Sequence, residues 1–420
     1  MSIQAVRGFN DVFEAETTAI IQAVEQLLIQ TAQSHGYSEV RLPFLEKAEL
    51  YRRSIGETSD IVNKEMYTFS DKNDDTLCLR PEGTASCIRA AIEHNVLYQH
   101  SRKWYYLSPM FRRERPQKGR YRQFYQFGME AIGVIEPFVD VEHLIVIHSV
   151  FKKLGVADKI QLNLNYLGTS ATRKLYTKAL TEYYQKHYNS LSAIDQVRLR
   201  DNPLRILDSK EPTIQALNKN APSIHDYYST EEKSALSKVI ELLNQHGIGH
   251  RINPHLVRGL DYYTGTIYEW IAPELGAQST VCGGGRYDKL AEQLDAKSIP
   301  ATGFSIGMER LIELIDTSQF QKKPSLLWIN LTDAALQASL NSCHQLRTTC
   351  PNLAIDNHFE VTKIKSALKK ANKRGYTHVV IAGEDELQSG IYQLKSMATG
   401  EQQSLTIEQI IAYIQREITL

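Results

Sequence analysis

Cysteine is scarce in this chain, and the five present (Cys78, Cys87, Cys282, Cys343 and Cys350) make an odd count with no CxxC pair. That argues against both a disulfide framework and a zinc site. Long apolar runs are missing as well. No stretch approaches the roughly 18 residues that suggest a membrane helix, and the opening MSIQAVRGFNDVFEAE holds no apolar segment of the signal-peptide kind. The expectation is a reduced, cytoplasmic protein with no membrane contact. Net charge is absent too, because 48 Lys and Arg balance 48 Asp and Glu. A polyanion would therefore have to be bound by a local patch. Finally, the glycines at 283–285 fit neither GxGxxG nor GxxxxGK[ST], and there is no P-loop. If a nucleotide binds, arginines must take its phosphates, which suits a planar guanidinium that stays charged.

At 420 residues the chain exceeds one ordinary domain of about 150 residues and should divide into two or three. Residues 14–34 place Ile20, Val24, Leu27, Leu28 and Thr31 at helical spacing, and Gly36 ends that helix. YSEVRLPFLE alternates like a strand up to Pro43, and TLCLRPEGT reads as a buried strand entering a turn before the helix TASCIRAAIEHNVL. WYYLSPMFRRE and YRQFYQFGMEAIG form a hairpin around Pro116 to Gly119. Residues 169–244 turn helical and polar, with breaks at NPLR and APS, and part of this reads as an insertion. HRINPHLVRG, GTIYEWIA and STVCGGGRYD return to strand, and TGFSIGMERLIELI is a strand entering a helix. Beyond a linker at QKKP (321–324), the strands SLLWINL, LAIDNHF, HVVIAG and IYQLKSMA alternate with helices at 333–347, 361–373 and 406–416. This is the pattern of a small α/β domain.

The hairpin carries the sharpest chemistry. FRRERPQKGRYR sets Arg112, Arg113, Arg115, Lys118, Arg120 and Arg122 against Glu114 alone. On the return strand Phe124, Gln126, Gly128 and Glu130 share one face. An aromatic ring, an amide, a gap left by glycine and a carboxylate could hold a planar ring beside a small polar ligand. A polar face that merely meets water is the bland alternative. Against it stand Arg258 in LVRGLDYYTGTIYEW, Arg286, Tyr287 and Asp288 behind three glycines, and Arg310 near a helix start. Glu82 could equally complement a helix dipole, and Tyr263 and Tyr287 could be rim aromatics. His35, His94, His143 and His378 lack metal-ligand spacing and read as structural or exposed. Within 361–374 a stripe of Ile364, Leu368 and Ala371 leaves Lys363, Lys365, Lys369, Lys370, Lys373 and Arg374 on the remainder, either a solvated face or a second polyanion patch.

Taken together these segments resemble the class II aminoacyl-tRNA synthetases, and within them the histidyl family, over nearly the whole chain. GYSEVRLPFLE resembles motif 1, FRRERPQKGRYRQFYQFGME motif 2 and GFSIGMER motif 3, while LVRGLDYYTGTIYEW and GGGRYDKL are similar to the histidine signatures. LRPEGT and NPLRILDSK match the histidyl pattern as well. The resemblance implies an α+β fold, with an antiparallel sheet flanked by helices, a helical insertion and a C-terminal α/β anticodon-binding domain. Expected boundaries are 1–168 and 229–322 for the catalytic core, 169–228 for the insertion and 324–420 for the last domain.

The same resemblance implies roles. ATP is expected on Arg112, Glu114, Phe124 and Arg310. Histidine is expected on Glu82, Gly83, Thr84, Gln126, Glu130, Arg258, Tyr262, Tyr263 and Tyr287, with Arg258 and Arg112 catalytic at the α-phosphate. Arg115, Gln117, Lys118, Arg120 and Arg122 are expected to meet the acceptor end of tRNA(His), and Pro43 to lie at a homodimer interface. Mg2+ would accompany ATP, with no fixed metal site on the protein and no organic cofactor. The implied activity is histidine–tRNA ligation. The alternative is a synthetase-like regulatory subunit of histidine biosynthesis, which typically lacks the catalytic arginines and the last domain. One departure is visible: DNHFEVTKIKSALKKAN replaces the glycine-rich turn that many relatives carry before the helix at 361–373.

Overall fold

A computed structural model of the chain describes residues 3–57, 59–96, 101–209, 211–319 and 324–417. Most of the expected linker, residues 321–323, lies outside the described residues. The chain forms two compact units, Met1–Thr317 and Ser318–Leu420.

The first unit begins with α1 (Ala15–Ser34), whose Val24, Leu28, Thr31 and Ala32 are buried, and the chain leaves it through Gly36 at φ +79°. It continues through β1 (Ser38–Glu39), β2 (Leu45–Lys47), α2 (Ala48–Ile55), β3 (Tyr67–Ser70), β4 (Thr76–Leu79) and α3 (Thr84–Glu93). The hairpin follows as β5 (Arg102–Phe111) and β6 (Gln123–Ile132), then α4 (Phe138–Lys153) and β7 (Gln161–Tyr166). Helices α5 (Ser170–Lys186), α6 (Ala193–Asp201) and α7 (Pro212–Asn218) come next, with a 3-10 turn at Pro203–Ile206, before α8 (Thr230–Gln245). The unit closes with β8 (His250–Ile252), β9 (Thr264–Ile271), β10 (Thr280–Arg286), α9 (Leu290–Gln293), β11 (Ala301–Gly307) and α10 (Met308–Leu314).

Eight of these strands make one sheet in the order β1-β5-β6-β11-β10-β9-β7-β8. The six central strands pair antiparallel, as expected, but β1 and β8 each join an end in parallel, so the sheet is mixed. Its apolar face is covered by helices, with His143 of α4 edge-on to Phe304 at 5.2 Å and Phe151 edge-on to Trp270 at 5.4 Å. A second sheet, β2-β4-β3, stands apart.

Two expected strands are shorter than read. In YSEVRLPFLE only the ends pair as strand, because the intervening carbonyls of Leu42 and Pro43 accept from the buried Arg80 guanidinium at 2.9 and 3.2 Å. In HRINPHLVRG only the first three residues do; the carbonyls of Pro254 and Leu256 are taken by the Asn165 amide at 3.3 and 2.9 Å. In both places a side chain replaces a neighbouring strand.

The second unit holds β12 (Ser325–Asn330), α11 (Asp333–Thr349), β13 (Ala354–Asn357), α12 (Ile364–Arg374), β14 (His378–Ala382), α13 (Glu384–Ser389), β15 (Tyr392–Ser396), β16 (Gln402–Leu405) and α14 (Ile407–Glu417). Its sheet runs β13-β12-β14-β15-β16, parallel across the first three strands and antiparallel thereafter. The seam of α12 differs from the expected stripe. Ala367 and Ala371 are buried with Leu368 packed beside them, whereas Ile364 is exposed, so Ala367 takes the place expected for Ile364. Among the described residues no helix is long and apolar enough to cross a membrane.

Candidate active site

The site face of the large sheet is a trough because its strands carry few side chains there. In register, Glu269 of β9 adjoins Gly283 of β10, Gly283 adjoins Ser305 of β11, Ser305 adjoins Gly128 of β6, and Gly128 adjoins Tyr106 of β5. One row along, Gly303 adjoins both Gly285 and Glu130. The glycines make room for larger neighbours: a Cβ on Gly283 would overlap the Arg258 guanidinium, and one on Gly303 the Glu130 carboxylate.

The space expected beside Gly128 is not open. The Tyr106 ring from the neighbouring strand fills it and also packs on Gly83. Tyr106 then points its hydroxyl at Glu130 Oε1, 3.4 Å away. Sequence reading missed this residue, although fixing the hairpin register would have set it opposite Gly128.

A pocket of about 140 Å3 lies over the trough. One side is cationic, with Arg112, Arg120 and Arg310 around Phe124. Arg112 donates through Nε to the Pro81 carbonyl at 3.0 Å and lies 5.3 Å over the Phe124 ring. Arg310, near the start of α10, donates to the Gly119 and Thr280 carbonyls at 3.0 and 2.7 Å. Burial, then the charges of Arg112 and Arg120, push Arg310 down to about 10; burial also lowers Arg112 and Arg120. Arg112 weakens the protonation of Arg120, and both weaken that of Arg310, so the cluster is one that a polyanion stabilises.

The other side is acidic and aromatic, with Glu82, Thr84, Gln126, Tyr262 and Tyr263 on the wall. Glu82 accepts from the Thr84 and Ala85 amides at 2.7 and 2.9 Å, so it fastens the start of α3 while also facing the pocket. Glu130 lies beneath, fully buried, accepting from Thr84 Oγ1 at 2.7 Å and from the Tyr287 hydroxyl. Burial pushes Glu130 up to about 8 against its three hydroxyl donors, and Glu82 is raised by burial too. Two buried carboxylates of raised pKa suit an ammonium ligand. Gln126 Oε1 is buried without a hydrogen-bond partner, a polar atom left for a ligand donor.

Arg258 joins the two sides. It pairs with Glu269, lies 5.8 Å over the Tyr263 ring, and its charge reaches Arg112. Burial is the largest influence and opposes its charge, but Glu269, Tyr263 and Tyr262 together overcome it and hold the guanidinium protonated more firmly than usual. Glu269 is a second residue that sequence reading missed; a lone acid in TIYEW gives no signal until β9 and β10 are set side by side.

The hairpin loop divides differently from expectation. Arg115, Gln117 and Lys118 are exposed. Arg120, however, lines the pocket and pairs with Glu114 and Glu65, while Arg122 donates to the carbonyls of Glu114 and Arg7. All five cysteines are free and buried, and the described residues contain no cluster of metal-ligating side chains.

A largely antiparallel sheet flanked by helices, with a pocket that gathers arginines, buried carboxylates and hydroxyls, has the architecture of a class II aminoacyl-tRNA synthetase. A family model described as Histidyl-tRNA synthetase matches residues 8–311, and one described as Anticodon binding domain matches residues 337–417. The chain is 42% identical over 421 residues to a histidine–tRNA ligase of Marinomonas sp. (strain MWYL1), covering 99% of each. The crystal structure of apo S. aureus histidyl-tRNA synthetase shares 31% identity at a TM-score of 0.81, over 98% of this chain and 99% of that one. A histidyl-tRNA synthetase from Nostoc sp. PCC 7120 shares the fold, with a TM-score of 0.70 at 18% identity over 99% of both chains.

The chain belongs to the histidyl-tRNA synthetase family. Its activity is histidine–tRNA ligation, with ATP, histidine and tRNA as substrates. The regulatory-subunit alternative is not favoured.

Proposed function

We propose that the cationic side of the pocket holds ATP and the acidic side histidine, with Arg258 acting where they meet. Arg112 takes the α-phosphate, Arg310 the γ-phosphate, Phe124 stacks on adenine and Glu114 accepts from its amino group. Glu82, Thr84 and Glu130 hold the histidine ammonium, while Gln126, Tyr262, Tyr263 and Tyr287 surround the imidazole, with Gly83 giving Tyr106 its space. ATP enters as its magnesium complex, so the metal is part of the substrate.

A histidine carboxylate oxygen attacks the α-phosphorus, the bond to the bridging oxygen of the β-phosphate breaks, and pyrophosphate leaves. Negative charge grows on the equatorial oxygens of the α-phosphate, where the fixed guanidiniums of Arg258 and Arg112 stabilise it. No protein nucleophile or base is required. In the second step the 3′-terminal ribose hydroxyl of tRNA(His) attacks the histidyl carbonyl and AMP departs. Arg115, Gln117 and Lys118 meet that acceptor end, a reading their exposure supports, and Arg120 and Arg122 shape the loop behind them. Dimerisation through the segment around Pro43 is supported by its exposed apolar neighbours Phe44, Leu45 and Phe69. A reduced, cytoplasmic setting is supported by five free, buried cysteines. The catalytic core spans 1–168 and 229–322, the helical insertion 169–228 and the anticodon-binding domain 324–420.

The observation that carries this division of labour is the buried, unpartnered Gln126 Oε1 in the pocket that the crowded guanidiniums also line. Histidine-dependent exchange between ATP and pyrophosphate tests it. Gln126→Ala should raise KM for histidine by about tenfold or more with KM for ATP held, and Arg310→Ala should do the reverse. Equal effects on both substrates in both variants would overturn it.

A further inference from the structure

The loop from residue 253 to 263 carries Arg258, Tyr262 and Tyr263, yet it is in neither helix nor strand. Its position therefore depends on side chains that grip it. The grip comes from the helical segment α5 to α7. Arg205, in the 3-10 turn Pro203–Ile206, donates from Nε and Nη2 to the two carboxylate oxygens of Asp261 at 3.1 and 2.7 Å. The Asn202 amide adds a third bond to Asp261 Oδ1 at 3.1 Å. Both residues belong to NPLRILD, a stretch to which the ligation chemistry assigns no part.

The same cluster fastens a third segment. Arg205 Nη2 also donates to the Ile55 carbonyl at the end of α2, at 3.3 Å, and the Asp261 amide donates to that carbonyl at 3.3 Å. Gly56, at φ +94°, lets the carboxylate come this close, since a Cβ there would overlap Asp261. A second grip lies on α5, where Arg173 donates to the Tyr263 carbonyl at 3.0 Å. Between the two grips is a cavity of about 50 Å3 bounded by Leu167, Val257, Leu260 and Tyr263, so the loop has room to shift once released.

We infer that Asn202, Arg205 and Arg173 are positioning residues for the amino-acid half of the site, holding the loop that places Tyr262, Tyr263 and Arg258 through Asp261 and the Tyr263 carbonyl. A bidentate guanidinium–carboxylate pair fixes orientation as well as distance. Displacement of about 1 Å in a reacting group is enough to lower rate by two orders of magnitude. The helical segment thereby sets histidine affinity without touching histidine. This rests on the reading of Tyr262 and Tyr263 as histidine-binding.

Steady-state exchange kinetics of Arg205→Gln, Asp261→Asn, the double variant and Arg173→Gln test the inference, with Tyr263→Ala as a control. Each positioning variant should raise KM for histidine by about tenfold while KM for ATP changes by less than about twofold. Arg205→Lys, which restores one charged donor, should recover part of the loss. The double variant should be no worse than the poorer single one, because both remove the same grip. A merely structural role would lower thermal stability and the active fraction with KM for histidine unchanged, and that result overturns the inference. So do multiplicative losses in the double variant. If Arg205→Gln fails to fold, Arg173→Gln decides alone, since it leaves the Asp261 cluster intact. Should Tyr263→Ala also leave KM for histidine unchanged, the underlying reading of the pocket fails as well; if Tyr263→Ala raises it and the positioning variants do not, only the positioning inference is lost.

Discussion

Arg258 donates to the carboxylate of Glu269 over the bare backbone of Gly283, so the guanidinium assigned to the α-phosphate is aimed by an acid on the neighbouring strand. Removing the cation and removing its guide should therefore differ in degree. Arg258→Ala is expected to lower kcat for pyrophosphate exchange by about 10²–10³-fold, the usual loss for a preorganised charge at a transition state. Glu269→Gln keeps an acceptor but loses the charge, and should cost about tenfold. Circular dichroism should show both variants folded. Full exchange activity in Arg258→Ala would refute the assignment.

Glu130 gives the site a proton balance that can be measured. Its pKa is raised from 4.5 to about 8, so at pH 7 the folded, ligand-free protein holds a proton there. A histidine ammonium favours the carboxylate and should expel that proton on binding. Calorimetry in two buffers of different ionisation enthalpy should detect close to one proton released at pH 7, and none well above pH 8. The sign for stability follows from the same shift. Between 4.5 and 8 the folded state binds a proton that the unfolded state has lost, so this group's contribution to stability falls as pH rises through that window. Glu130→Gln should abolish both the proton release and this part of the slope.

Local elements of this fold are legible in its sequence, whereas the pairing of distant strands is not. Helix α1 and the hairpin strands follow from periodicity, and the alternation does place Phe124 and Gln126 of the pocket on one face with Glu130 beneath it. What periodicity cannot supply is the pairing between distant strands. Tyr106 opposite Gly128, Glu269 beside Gly283, and Glu130 against Gly303 exist only once β5, β6, β11, β10 and β9 are laid in order. The shortened strands at Pro43 and Pro254 were hidden for a related reason, since their carbonyls are claimed by Arg80 and Asn165 from far along the chain.

The hairpin loop calls for a test aimed at different residues from those its charge pattern suggests. Arg120 faces the pocket and Arg122 binds backbone carbonyls, so neutralising them should disturb ATP binding and loop shape. Arg115 and Lys118 are exposed. Arg115→Gln with Lys118→Gln should slow transfer of histidine to tRNA by about tenfold in single turnover while exchange stays within about twofold. Arg120→Gln should raise KM for ATP in the exchange reaction. Equal loss of both steps in the Arg115 and Lys118 variant would show that the acceptor end is met elsewhere.

The basic face of α12 offers a test confined to the second unit. Lys365, Lys369, Lys370 and Lys373 are all exposed, and the helix is anchored through Ala367 and Ala371 on the other side. If this face meets tRNA phosphates, Lys369→Gln, Lys370→Gln and Lys373→Gln together should raise KM for tRNA while histidine-dependent exchange is unchanged. Each lost phosphate contact also removes counterion release, so the log–log dependence of kcat/KM for tRNA on salt should flatten by about 0.7–0.9 per contact. A variant whose KM and salt slope both match the parent would identify the face as solvated and leave the RNA contacts of this unit to other residues.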